Sequence, residues 1–186
     1  MIDYDEILRL TEQYGGKWGI NHTLRLLKLV DCIGQGMEYN REAVWIAAHL
    51  HDWGAYPIFL QKNGDHAQRS REVAEQFLIE RDCPPDLITL VLEIIEFHHL
   101  PHPDRSIEVI LLADADALDF LGIVGILRDF SRNNKDLRKA FEISMKRRNE
   151  LPGKLILDVS RQLAIQRLNF MDEIFSRMEE ESFGYF

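Results

Sequence analysis

The residues in this chain most suited to chemistry are a histidine and an aspartate side by side. His51-Asp52 lies in the stretch Ala47-Ala48-His49-Leu50-His51-Asp52-Trp53-Gly54, at the end of an apolar helix pattern. Neighbouring residues of these types can present an imidazole nitrogen and a carboxylate oxygen to one cation. Two ligands do not hold a metal, so further donors must come from elsewhere in the chain. The candidates are His22 upstream and the carboxylate run Asp114-Ala115-Asp116-Ala117-Leu118-Asp119 downstream.

Helices must position these residues, because nearly every segment has helical periodicity and no long Val/Ile/Thr alternation marks a sheet. A first amphipathic helix covers residues 3–14 and stops at Gly15-Gly16. The next runs from about Asn21 to Ile33 and stops at Gly34-Gln35-Gly36. His22 shares a stripe with Leu26, Leu29 and Ile33, which turns it inward. Asn40 is the expected N-cap of the helix ending at Asp52. On that helix His51 aligns with Ala47 and Val44, while His49 lies about 160° away and is read as structural.

Asp65 is an N-cap with Gln68 in capping-box position, which puts His66 in the first turn of the next helix. Two readings of His66 stand: a solvated side chain or a metal ligand. The helix that begins at Cys83-Pro84-Pro85-Asp86 ends near His98-His99. His98 is the inward member, with His99 about 80° off. His102, between two prolines, belongs to a loop. The helix from Ser106 to Leu121 is apolar almost all round, hence buried, yet carries Asp114, Asp116 and Asp119. Buried carboxylates demand a cation. Arginines such as Arg25, Arg69 or Arg128 would meet the demand, and so would a metal. Helices at about 123–130, 134–150 and 154–180 follow, the last two separated by Leu151-Pro152-Gly153.

The order His, then His-Asp, then Asp, each on a helix, resembles the HD-domain superfamily of metal-dependent phosphohydrolases, over about Trp18 to Arg128. The resemblance implies an all-α, single-domain helical bundle with the metal ligands His22, His51, Asp52 and Asp116. Asp116 is the member of the acidic run that matches, in Ala115-Asp116-Ala117-Leu118. Asp119, one turn on, suits a partner that holds a ligand in place, and Asp114 points elsewhere. Two nitrogens and two carboxylates suit manganese, iron, nickel, zinc or magnesium better than calcium. Some branches add two histidines in the interval where His66 and His98 fall. There they bind a second metal, giving one or two divalent ions per chain. Arg25, one turn after His22, matches an arginine frequent in the family. With Arg69 and Arg128 it is a candidate substrate-phosphate contact. The implied reaction is hydrolysis of a small phosphate ester or nucleotide by a metal-bound hydroxide. Two other classes use the same scaffold: a di-iron oxygenase similar to inositol oxygenase, and a non-catalytic regulatory module.

The remaining bounds agree with a small-molecule enzyme. The 186 residues suffice for one domain with a sizeable core. The motif-bearing part spans about 18–130 and the C-terminal helices about 134–180. The last helix packs across the bundle or against a partner subunit, so a homodimer is one arrangement open to it. A net charge of −9 argues against a nucleic-acid partner. It is compatible with a phosphorylated substrate, a nucleotide or phosphomonoester, because bound divalent ions reverse the local field. The apolar stretches are too short for a bilayer and the acidic N-terminus is unlike a signal peptide, so a cytoplasmic protein is expected. Cys32 and Cys83 are far apart and read as reduced thiols.

Overall fold

Helical periodicity predicts the architecture, and the computed structural model, which describes residues 2–60, 66–99 and 104–186, follows it closely. Among the described residues eight α-helices run in chain order: α1 (Tyr4–Ile33), α2 (Arg41–Leu50), α3 (His66–Ile79), α4 (Pro85–Phe97), α5 (Ile107–Asp119), α6 (Ile123–Arg132), α7 (Leu137–Glu150) and α8 (Asp158–Ser182). Short 3-10 turns occupy Trp53–Ala55 and Leu151–Lys154. Among the described residues there is no strand, so the fold class is all-α as expected. The chain forms two compact units, residues 1–113 and 114–186, with α5 running from the first into the second. The expected N-cap Asp65 and the loop residue His102 lie outside the described residues.

The expected stop at Gly15-Gly16 is a kink. Gly16 adopts φ 60°, ψ −168° inside α1, and the helix resumes at once. A positive φ costs a glycine little, whereas any residue with a Cβ would be strained there. Residues 17–20, expected to link two helices, are therefore helical too. The kink delivers His22 from a helix that began at Asp3, whose carboxylate accepts from the backbone of Asp5 and Glu6.

The first unit is built on α1, α2, α3, α4 and the start of α5. Leu26, Leu29 and Ile33 of α1 join Ala43, Ile46, Ala47 and Leu50 of α2 in the core, with Val91, Ile94 and Ile95 of α4 and Leu111 and Leu112 of α5. Each buried Leu or Ile contributes on the order of 1.5–3 kcal/mol. The inward stripe of α1 is thus the one carrying His22. The Asn40 side chain accepts from Ala43 N at 3.0 Å, the expected cap, and the Asn40 N–H donates to Glu108 at 2.7 Å. The start of α2 is held from both sides.

The second unit is α6, α7 and α8 around the end of α5. Two of its buried carboxylates, Asp114 and Asp129, are matched by donors. Asp114 accepts from the backbone N–H groups of Ile156 and Leu157, both at 2.9 Å. Those bonds hold the chain extended ahead of α8, which is why that helix starts at Asp158 and not near 154, as its pattern suggested. In return, Arg167 of α8 donates to the carbonyls of Leu118 and Leu121, at 2.5 and 3.4 Å, closing the end of α5. Asp129 accepts from the Ser144 hydroxyl at 2.9 Å and pairs with Arg147. No helix of the described chain is long and apolar enough to cross a membrane.

Candidate metal centre

Three of the four ligands expected of the first metal meet within the first unit. His22 comes from the middle of α1; His51 is the C-cap of α2, and Asp52 follows it directly. The Nε2 atoms of His22 and His51 each lie 3.7 Å from the same oxygen, Oδ2 of Asp52. The two imidazole centroids are 5.4 Å apart. Both rings are almost fully buried, whereas the Asp52 side chain keeps 19% of its exposure, so the cluster opens to solvent on the Asp52 side.

The donor set fits a divalent transition metal. Ligands at about 2.0–2.2 Å from one ion sit roughly 3–3.5 Å from one another, so the 3.7 Å separations need only a small contraction. The tautomer is also suitable. His51 Nδ1 lies 2.9 Å from the carbonyl of Ala48, which fixes Nδ1 as the protonated nitrogen and leaves the Nε2 lone pair facing Asp52. These three residues form a group able to hold a metal ion.

The local fold pins the pair on both flanks. Trp53 is buried and donates through its indole N–H to Thr11 Oγ1 at 3.1 Å, and Thr11 donates in turn to the carbonyl of His49 at 3.4 Å. The Gly54 N–H donates to Ser70 Oγ at 2.9 Å. A Cβ at Gly54 would sit 2.3 Å from Ser70 N and 2.6 Å from the carbonyl oxygen of His66, so α3 crosses the chain here at glycine distance. Hence His51-Asp52 is held between α1 and α3 by bonds on either side of it.

His49 has the separate, structural role expected of it. Its Nδ1 lies 2.8 Å from the Trp45 carbonyl and its ring lies 3.8 Å from the Trp45 ring. Burial, the main cause, pushes its pKa down to about 4, so the imidazole is neutral at ordinary pH.

The other histidines extend the cluster. His98 is buried, with Nδ1 2.7 Å from the Ile95 carbonyl, again leaving Nε2 as the presented atom. Its ring lies 5.3 Å from that of His51 and 3.7 Å from that of His99, and His99 lies 5.3 Å from His66. Five imidazoles therefore run in sequence: His22, His51, His98, His99, His66. Sequence reasoning missed His99. It applied helical phase to a residue that follows the C-cap His98 and is no longer on the helix. The doubled His-His itself was the available signal.

The acidic run on α5 divides as follows. Asp114 is taken up by the start of α8. Asp119 is buried and forms an ion pair with Arg128. Asp116 is buried as well, at 4% exposure, in the part of α5 that belongs to the second unit. Of the three candidate phosphate contacts, Arg128 is turned to Asp119, with its guanidinium 4.3 Å above the Phe120 ring. Arg69 donates to the Phe59 carbonyl at 3.0 Å and to Glu72 at 2.9 Å. Arg25 lines a groove on another side of α1.

Comparison with known proteins identifies the fold and the family. No curated protein matches the chain. Among solved structures, a predicted HD superfamily hydrolase from an uncultured Thermotogales bacterium is 25% identical, over 96% of this chain and 92% of that one, with a TM-score of 0.70. Bacillus subtilis YpgQ, solved in complex with ADP, is 24% identical over 96% of this chain and 97% of its own, with a TM-score of 0.74. An HD-superfamily hydrolase from Bacillus thuringiensis is 21% identical over 96% of each chain, with a TM-score of 0.71. The family model for the HD domain matches residues 19–121, more than half of the chain and the stretch that carries His22, His51, Asp52 and Asp116. The chain belongs to the HD domain family.

Proposed function

We propose that the protein is a metal-dependent phosphohydrolase acting on a small phosphate ester or a nucleotide. The observation that carries this reading is the pair of buried imidazoles whose Nε2 atoms both face one oxygen of Asp52. His22, His51 and Asp52 would hold the ion. Asp116 is proposed as the fourth ligand on its place in the sequence motif. Manganese, iron, nickel, zinc and magnesium all suit such a set. When bound, the ion supplies Lewis-acid polarisation of a phosphoryl oxygen and lowers the pKa of its water.

The chain's own residues do the rest. The Ala48 carbonyl holds the His51 ring in one tautomer, and burial keeps bulk water from both imidazoles. The partly exposed edge of Asp52 is the side from which substrate arrives. A chain of net charge −9 repels a phosphate from most of its surface, so the cation is needed for binding as well as for chemistry. A nucleotide is the favoured class among phosphate compounds, in keeping with the ADP bound to YpgQ, which shares the fold.

The imidazole row favours two ions over one, with His66, His98 and His99 beyond the first site. Two irons would also suit a di-iron oxygenase, which consumes oxygen where a hydrolase releases phosphate. The deciding experiment loads the purified chain with each metal and screens phosphate monoesters and nucleotides for phosphate release, with oxygen uptake followed in parallel. Phosphate release should require metal, and His51→Ala or Asp52→Ala should lower it by more than about a hundredfold. Release that survives chelation or both substitutions would defeat the proposal. Oxygen uptake without phosphate release would replace it with the oxygenase.

A further inference from the structure

The kink at Gly16 divides α1 into two limbs, and the metal cluster depends on both. His22 lies on the limb after the kink. The bond from Trp53 to Thr11, which holds the turn after Asp52, reaches the limb before it. Tyr56 touches both. It follows Asp52 by four residues and is 7% exposed. A Cβ on Gly15 would lie 2.5 Å from its Cζ and 2.6 Å from its hydroxyl oxygen, and a Cβ on Gly19 would lie 2.5 Å from the same oxygen. The hydroxyl edge of the ring is therefore seated in a notch of two glycines, one on each side of Gly16. Gly19 is buried and stands three residues before His22.

Helix formation alone would not choose these two glycines. Within α1 it is Gly16 that leaves helical φ/ψ, so Gly15 and Gly19 are helical, and there alanine is favoured over glycine. What an alanine would lose is the seat, because 2.5 Å is well inside the 3.4 Å at which ordinary contact begins. A close-packed interior does not absorb such an overlap, so the ring would have to back out of the notch. Its backbone is tied to the turn behind the metal pair, with the Tyr56 N–H donating to the Trp53 carbonyl at 3.1 Å. A displaced ring therefore pushes on the turn that follows Asp52 or on the limb that carries His22. We propose that Tyr56 is a positioning residue: wedged into the Gly15–Gly19 notch, its ring sets the spacing of His22 from His51-Asp52 across the kink, and with it the affinity for the metal. The inference rests on the reading that these three residues hold the ion.

The test is calorimetric titration of the chelator-stripped, full-length chain with Mn²⁺, alongside thermal melting of each metal-free variant by circular dichroism. Gly19→Ala should weaken Mn²⁺ binding by about tenfold or more, as loss of a group that orients a ligand does. Tyr56→Phe removes the oxygen that a Gly19 Cβ meets at 2.5 Å and leaves Cζ at 3.1 Å. Gly19→Ala combined with Tyr56→Phe should therefore bind within about threefold of Tyr56→Phe alone. Tyr56→Ala empties the notch without a collision and should also weaken binding about tenfold, which carries the test should Gly19→Ala fail to fold. A role in packing alone would lower Tm in Gly19→Ala and Tyr56→Ala and leave their Mn²⁺ affinity at the wild-type level. That result would overturn the proposal, and so would a double variant that binds as weakly as Gly19→Ala. His51→Ala separates the two readings. If it binds Mn²⁺ as the wild type does, or the wild type binds none, the metal reading and this inference fall together. If His51→Ala loses binding while Gly19→Ala and Tyr56→Ala keep it, this inference falls alone.

Discussion

Asp114→Ala should destabilise the protein sharply without touching a proposed ligand. Asp114 is 1% exposed, and each carboxylate oxygen accepts one backbone N–H, from Ile156 and Leu157, at 2.9 Å. Hydrogen bonds to a charged acceptor contribute about 1.5–3 kcal/mol each, and a donor stranded without a partner costs a similar amount. Ile156 is 38% exposed, so water can recover part of its loss, and the combined cost comes to about 2–4 kcal/mol. For a chain of this length, that lowers Tm by roughly 5–15 °C. Asp114→Asn keeps one acceptor and turns an amide donor towards the other N–H, so its loss should be of similar sign and about half the size. Urea denaturation followed by circular dichroism measures both. Asp158→Ala is the control, because that side chain is 89% exposed at the start of the same helix and its loss should cost less than about 1 kcal/mol. If Asp114→Ala costs no more than Asp158→Ala, the reasoning that Asp114 anchors the approach to α8 is wrong.

Gly54→Ala should destabilise by about 3 kcal/mol or more, because the new Cβ collides with the α3 backbone and not with a side chain that could move; thermal denaturation and metal content should both fall. His49, with its pKa lowered by burial to about 4 from 6.5, binds a proton more readily in the unfolded chain. Its contribution is therefore present in full above pH 6.5 and is lost as pH falls towards 4, by on the order of 3 kcal/mol, and His49→Leu should flatten that part of the stability–pH curve measured by urea denaturation. If the imidazole row holds two ions, elemental analysis of the saturated wild type should give two metals per chain and His66→Ala and His99→Ala one each; one metal in all three would leave a single site, and two in all three would remove His66 and His99 from the second.

How much of the centre could be read from the sequence depends on whether its residues lie within regular helix. His22 and His51 were legible because each shares a helical stripe with core residues, and a helix buries such a stripe as a unit. His49 was legible as the excluded neighbour for the same reason, since a two-residue step on a helix reverses direction. Asp114 was set apart from Asp116 in the same way, although its partners, the N–H groups of Ile156 and Leu157, are 42 and 43 residues away and no periodicity reports such a bond. Phase arguments fail where the helix ends. His99 follows a C-cap, so its direction is set by how the chain leaves α4, and it joins the row beside His98. Gly16 shows the converse error: a Gly-Gly pair reads as a stop, yet one positive φ turns the chain and the next helix starts without a loop. The arginines were the least legible. A guanidinium reaches several ångströms from its backbone, so its partner is chosen by whichever carboxylate the fold brings near. For Arg128 that carboxylate is Asp119, nine residues back, and the ion pair serves the folding of the acidic helix before it could serve a substrate.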